Sequence, residues 1–338
     1  MKLRPVLIGL AVAFQIGVVA AMVLSREWIL AYGTPYTFQT APIDPRDIFR
    51  GDYVRLDYLF SNVAVAQLEP AIIEQGLRKG RKVYLALEQD INGIHHGGRL
   101  YRQPPAGQPW LAGRVRYDWP YRGYRRLPPE RRAEITPGPV AVKYGIEQYY
   151  LEQGSGLAIE ERRGGRNDYQ LPMLIHARVS ASGEAVIHSY SWADIAVKTE
   201  VLRTPEREAE VQQASAVIQM SLQNRGESVV TLPLRRGNCS FTLIGAQRAP
   251  EDATRFAAER TVCMDAPLEP VTLAPGEVHA VRFDLNRPHW QVIFGDKPTP
   301  MGRLSWNYRY RIVYRGEPLP GVKGAILSRA FHGRGNID

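Results

Sequence analysis

Cysteine is nearly missing from this chain: of 338 residues only Cys239 and Cys263 carry a thiol, and no Cys-x-x-Cys spacing occurs. That scarcity excludes a cysteine-framed scaffold and argues against a tuned redox thiolate. Two thiols without a neighbouring pair of histidines also make a poor tetrahedral zinc shell, so no metal site and no cofactor are expected. Low-complexity tracts are missing as well. Charged residues at 23% and hydrophobic residues at 44% are the proportions of a folded body, with only residues 333–338 reading as frayed. A second long apolar run is missing after residue 24, which leaves one helical membrane span at most.

What is present begins with that first run. Residues 5–24 contain no charged side chain, Gln15 is the one strongly polar member, and Lys2 and Arg4 stand just before it. At ~1.5 Å per residue a helix of this length reaches ~30 Å, the thickness of a bilayer's hydrocarbon core. The positive-inside bias then holds the N-terminus in the cytoplasm and sends the rest across a bacterial inner membrane into the periplasm. The competing reading is a cleaved signal peptide, since Val19-Ala20-Ala21 offers small residues to a peptidase. Against cleavage, the run exceeds the usual ~7–15-residue apolar core. Trp28, Tyr32, Tyr36 and Phe38 follow in a short juxtamembrane stretch, at residues 25–39, that suits the headgroup level.

The remainder is long enough for two ordinary domains, and its punctuation is that of antiparallel β structure. Val54, Leu56 and Tyr58 alternate with Tyr53, Arg55 and Asp57 as in a half-buried strand. Residues 64–79 read as a helix, Val83, Leu85 and Leu87 restart a period of two, and residues 175–190 form a hairpin around Ser182-Gly183. His95-His96, set among glycines, read as turn residues. Beyond Ala196, residues 217–234 read as a second hairpin about Asn224-Arg225-Gly226-Glu227, and residues 250–260 as a short helix. The expected architecture is therefore mainly β with a few helices: an anchor at 1–24, a mixed β-rich domain at 25–195, and an immunoglobulin-like β-sandwich at 196–338. In an oxidising compartment Cys239 and Cys263 pair, closing a loop that stabilises the fold by roughly 3 kcal/mol.

The net charge of +9 is concentrated in arginine between residues 114 and 132, interleaved with Tyr117, Trp119, Tyr121 and Tyr124. Such a pattern could stack on single-stranded nucleic acid, but the compartment argues against that partner. A solvated loop between strands is the plain reading, with anionic lipid headgroups or an acidic protein as the functional one.

The densest local signal is the run from Asp44 through Tyr58, in which four aspartates interleave with Arg46, Arg50 and Arg55. Charges so mixed favour ion pairs over a metal site. Within it Gly51-Asp52-Tyr53, Leu56 and Tyr58 resemble the signature of the GDYXXLXY proteins, and Tyr144-Gly145-Ile146-Glu147, followed by Glu152 and Gly154, resembles that family's second recurring stretch. The resemblance covers roughly residues 1–190. It implies a membrane-anchored bacterial protein and names no reaction.

Catalytic constellations are thin. A serine–lysine peptidase would need a serine just before Gly51, where Ile43, Asp44, Pro45 and Arg46 stand instead. Glu147 and Glu152 form a possible acid pair, but such a pair can be drawn from almost any sequence. The expected function is thus a non-enzymatic interaction or assembly module that recognises another envelope protein, through Tyr53, Arg55 and Asp57 on the strand and Arg122, Arg125 and Arg126 in the loop. The alternative is an anchored hydrolase of cell-wall or membrane-associated substrate.

Overall fold

The computed structural model describes residues 3–41, 53–90, 92–126, 128, 137–152, 155–165, 167–203, 215–246, 263, 265–287, 290, 292–294, 297–304, 308–335 and 337. The apolar run forms α1 (Leu3–Tyr32), which takes in the first part of the stretch expected to be juxtamembrane; Tyr36 and Phe38, expected at headgroup level, instead enter a strand and pack into the core, Phe38 fully buried. Its segment Val6–Tyr32, with mean hydropathy 2.5, is a candidate membrane span. Trp28 and Tyr32 lie one turn apart on its exposed surface, ring centroids 4.5 Å apart. The helix stops at Gly33, whose N–H donates to Ile29 O. A strand begins at the next residue.

The first body contains β1 (Thr34–Gln39), β2 (Tyr53–Arg55), β3 (Asn62–Val63), β4 (Lys82–Gln89), β5 (His95–Tyr101), β6 (Trp110–Val115), β7 (Val140–Lys143), β8 (Gln148–Tyr150), β9 (Met173–Val179) and β10 (Ala185–Trp192). They pair as a three-stranded sheet β1-β9-β10, a five-stranded sheet β3-β7-β6-β4-β5 and the short pair β2-β8, every pairing antiparallel. The β9–β10 hairpin turns at Gly183 with φ +74°, as its sequence predicts. Val54, Leu56 and Tyr58 are buried as expected, although regular pairing ends at Arg55.

Residues 64–79 do not form one helix. Val65–Gln67 is a separate 3-10 turn, and α2 spans only Pro70–Gln75. Pro70 has no N–H to continue a helix from before it and sits in the first turn, where none is needed. Gly76, at φ +67°, closes the C-terminus in a conformation that side chains disfavour. His95 and His96 open β5 rather than occupying a turn. The loop after β6 carries the four-residue helix α3 (Arg122–Arg125), and α4 (Gly156–Arg163) precedes β9.

The second body contains β11 (Ile195–Arg203), β12 (Val217–Asn224), β13 (Val230–Arg235), β14 (Phe241–Gly245), β15 (Leu268–Leu273), β16 (Val278–Asp284), β17 (Val292–Phe294), β18 (Lys297–Thr299) and β19 (Tyr310–Tyr314). Here the expected hairpin at 217–234 fails: β12 pairs with β11 and β16, while β13 pairs with β15. The chain crosses from one sheet to another at the turn. Asn224, fully buried, explains the crossing, because its Nδ2 donates to Ser228 O and to Leu273 O, at 2.8 and 2.9 Å, while its Oδ1 accepts the Gly226 N–H. The turn after β15 closes on the same residue, with Gly276 N–H donating to Asn224 O and Asn224 N–H to Glu277 O. One asparagine thereby clasps two sheet-to-sheet crossings. Cys239 and Cys263 are bonded, their Cα atoms 5.3 Å apart. The helix expected at 250–260 lies outside the described residues.

Two apolar cores correspond to these bodies, one drawing on residues 38–185 and the other on 195–331. Leu171, Ala193 and Ala196 make a small cluster where the chain passes between them.

Candidate functional site

The two motif stretches bind each other. In register, β2 sets Tyr53 opposite Tyr150 and Arg55 opposite Gln148 on β8. One residue on, Leu56 N–H donates to Glu147 O at 2.9 Å, and the buried Tyr58 hydroxyl donates to Ile146 O at 2.8 Å. The Glu147 carboxylate folds back to accept the N–H groups of Tyr144 and Gly145, at 2.5 and 3.0 Å, around a backbone with Gly145 at φ +86°. Tyr144 then reaches back to the first stretch by donating its hydroxyl to Phe60 O at 3.2 Å. Phe38, Tyr58, Phe60 and Tyr144 form a continuous aromatic cluster with neighbouring centroids 5.0 to 6.3 Å apart, Tyr58 and Phe60 stacked and the other contacts edge-to-face. Burial, and then the Glu147 charge, push both tyrosine hydroxyls well above their ordinary range. They remain phenols, and Glu147 is committed to backbone donors. The described residues of the motif form a lock between distant segments. Gly51 and Asp52 lie outside the described residues.

The remaining predicted residues scatter. Tyr53 and Asp57 are half-buried and Arg55 is exposed, on the face opposite the core. Arg126 is exposed just after α3, whereas the Arg122 and Arg125 side chains lie outside the described residues. The aspartates and arginines at 44–52 are outside them too, so the expected ion pairs are not displayed there. Ser61 is buried with its Oγ accepting the Tyr58 N–H, and Lys79 and Lys82 are exposed, which makes no serine–lysine pair. Among the described residues no group of three His, Cys, Asp or Glu side chains could hold a metal ion.

A different feature emerges between the two bodies. A cleft of about 600 Å³ is walled by Leu59, Phe60 and Val65 on one side and by Ile244, Val313 and Leu327 on the other. Asp57, Asp90, His95 and His96 rim the first wall; Arg311, Arg315 and Glu317 rim the second. The walls are held by the buried Gln39 amide, which donates to Ala325 O at 2.7 Å and accepts Ala325 N–H at 2.6 Å, imitating a strand pair. Asp194 and Lys323 exchange two further bonds, through the Lys323 N–H and the Asp194 N–H.

On the rim, Asp90 accepts the N–H groups of Asn92 and Ile94, each at 2.9 Å, and its other oxygen lies 2.8 Å from His96 Nε2. Although burial pushes the Asp90 carboxyl up, these hydrogen bonds hold it below its usual range. His95 accepts the Thr37 N–H at Nδ1 and stands edge-on to the Tyr36 ring, and burial lowers its pKa. Sequence reasoning missed the cleft because its walls lie some 200 residues apart. Asp90-x-Asn92-Gly93 signalled the tight turn but not what would face it.

A candidate membrane span running without a linker into an antiparallel β body defines a β-rich protein with an anchor-like N-terminal helix. The family described as GDYXXLXY protein matches residues 15–189, more than half of the chain, and the chain belongs to that family. The match stops inside β10, before the second core. No curated protein and no solved structure shows a significant match.

Proposed function

We propose that this is a single-pass inner-membrane protein, its N-terminus cytoplasmic and its body periplasmic, that works as an interaction or assembly module for another envelope protein. In this reading residues 25–195 and 196–338 are two domains, the second an immunoglobulin-like sandwich, and the partner enters the cleft that both domains line. The observation that carries it is that cleft: apolar walls, a rim of mixed charge and backbone amides suit a peptide segment of a partner. Tethering raises the module's effective concentration beside membrane-embedded partners. Of the predicted contact residues, Asp57 lies in the cleft and Arg122, Arg125 and Arg126 serve as a separate flank.

The test is photocrosslinking in native membranes with benzoylphenylalanine placed at Ala66 or Ile244 in the cleft, and at exposed Val229 outside it. A discrete adduct with one envelope protein from the first two positions and not the third is expected. Equal labelling at all three, or none, would sink the reading. The hydrolase alternative draws on the Asp90–His96 pair; cleft adducts made of glycan or lipid alone would transfer the weight to it.

A further inference from the structure

The five-stranded sheet carries a charge arrangement that the fold does not explain. Lys82 on β4, Arg114 on β6 and Lys143 on β7 stand directly opposite one another in register, forming a row of three cations across adjacent strands. All three are exposed, and so are Arg78, Lys79 and Arg81 in the turn that leads into β4. Like charges facing each other across a sheet oppose its formation. Among the described residues no carboxylate pairs with any of these six side chains. Asp118, which approaches the turn, spends its Oδ1 on the Lys79 backbone N–H at 2.8 Å. Arg114 donates to Gly80 O, and Lys82 lies 5.6 Å from the centre of the Tyr84 ring, so both cations are positioned without being neutralised.

The sheet geometry places this row relative to α1. Strand β1 leaves the helix at Thr34, paired with Val179, and Arg178 donates to Gly33 O at 3.1 Å, so the β9–β10 turn lies beside the helix end. At that turn Gly183 O accepts the Ala112 N–H, and Ala112 faces Tyr84 on β4. At the other end of β4, Gln89 faces His95, which accepts the Thr37 N–H. Travelling about 17 Å from Gln89 to Tyr84 therefore runs from the neighbourhood of Thr37 to that of the β9–β10 turn, beside the helix end. Lys82 and Arg114 lie two residues farther along the same line, about 7 Å on. Trp28 and Tyr32, exposed on the last turns of α1, mark where an interfacial aromatic belt would sit.

We propose that this end of the sheet rests on the membrane that α1 spans and binds its anionic phospholipid headgroups through Arg78, Lys79, Arg81, Lys82, Arg114 and Lys143. The headgroup phosphates supply the countercharge the row lacks, and they fix the orientation of the body so that the cleft is held at a set height. The inference requires that α1 is a membrane anchor; it does not require that the cleft binds a protein.

The test uses the full-length protein in nanodiscs of neutral phosphatidylcholine and in nanodiscs containing phosphatidylglycerol, with lysine acylation by a membrane-impermeant reagent read by mass spectrometry. Lys79, Lys82 and Lys143 are expected to react about tenfold more slowly in the anionic discs, with the protection abolished at high salt, while exposed Lys323 reacts equally in both. In a Lys82→Glu, Arg114→Glu, Lys143→Glu variant, protection of Lys79 disappears. Equal reactivity in the two lipids overturns the proposal, and so does equal protection in both, which would come from the tether alone. Protection that appears only when a membrane protein extract is added assigns the patch to an acidic protein and overturns it too. The wild-type arms decide the matter even if the triple variant fails to fold.

Discussion

The two bodies bury tyrosines in opposite ways. In the first, Tyr58 and Tyr144 lie in the core, and each hydroxyl donates to a carbonyl of a distant segment. In the second, Tyr310 is equally buried, but its hydroxyl has no partner among the described residues, while its neighbour Tyr314 donates to Pro233 O and Glu317 O. Burial raises the Tyr310 pKa far above the usual phenol value and pushes Tyr314 up to about 12. The difference teaches where specificity is written. The first body is closed by side chains that name their partners, which is why a short motif can label it. The second is closed by sheet crossings clasped at Asn224, by a covalent bridge and by the Tyr314 hydroxyl, while Tyr310 serves as volume.

The largest effect that would sharpen this contrast comes from the bridge. The Cys239–Cys263 bond joins residues 24 apart, and constraining a loop of that length is worth about 3 kcal/mol. Replacing both cysteines by serine is expected to lower the stability of the second body by about that amount. Hydrogen exchange of the full chain would then show faster opening of β12, β13 and β16 with β9 and β4 unchanged. Equal acceleration in both bodies would break the contrast and mean that the Gln39–Ala325 contact couples them into one cooperative unit.

Next in size is one substitution made twice. Tyr58→Phe strands the buried Ile146 carbonyl and is expected to cost about 1–3 kcal/mol. Tyr310→Phe removes a hydroxyl that is buried without a partner, and is expected to be neutral or stabilising. Denaturant unfolding of the two variants tests both signs, and a loss at Tyr310 as large as that at Tyr58 would refute the distinction.

How much of this was legible in the sequence follows the same divide. Period-two alternation placed the buried face at Val54, Leu56 and Tyr58 and the β9–β10 hairpin at Gly183, because those signals are local. The motif stretches were recognisable, but not that Tyr58 would reach Ile146 across 88 residues, since a hydroxyl's partner leaves no trace in spacing. In the second body the strands were legible and the pairing was not. Asn224-Arg225-Gly226 looks like a hairpin turn, and only the buried Asn224 bonds to Leu273 and Ser228 redirect the chain to another sheet. Within residues 64–79 the helical spacing is interrupted by Pro70 and Gly76, and these two residues outweigh it by confining the helix to Pro70–Gln75. The cleft belonged to neither body's local pattern.

The smallest expected effect concerns acid. Burial lowers the pKa of His95 and of His176, which flank Thr37 on β1, and of His279 in the second body. For His95 the neighbouring His96 lowers it further, while Asp90 opposes the shift; for His176 the neighbouring His188 lowers it further. A histidine held below its unfolded value takes up its proton in the unfolded chain first. Stability is therefore fully present above the ordinary histidine range and declines as pH falls through it toward the folded values. The Asp90 carboxyl, also held low, acts in a separate window: its contribution is present above the ordinary aspartate value and is lost only in stronger acid. Between about pH 7.5 and about 5.5 strands β1 and β5 of the first body should accordingly lose protection from exchange. His95→Asn, which keeps an acceptor for the Thr37 N–H without a titrating ring, should flatten that decline in β1 and β5. An unflattened profile would move the pH sensitivity to His176, on the central strand of the sheet that follows α1, and would tie it to that sheet rather than to the cleft rim.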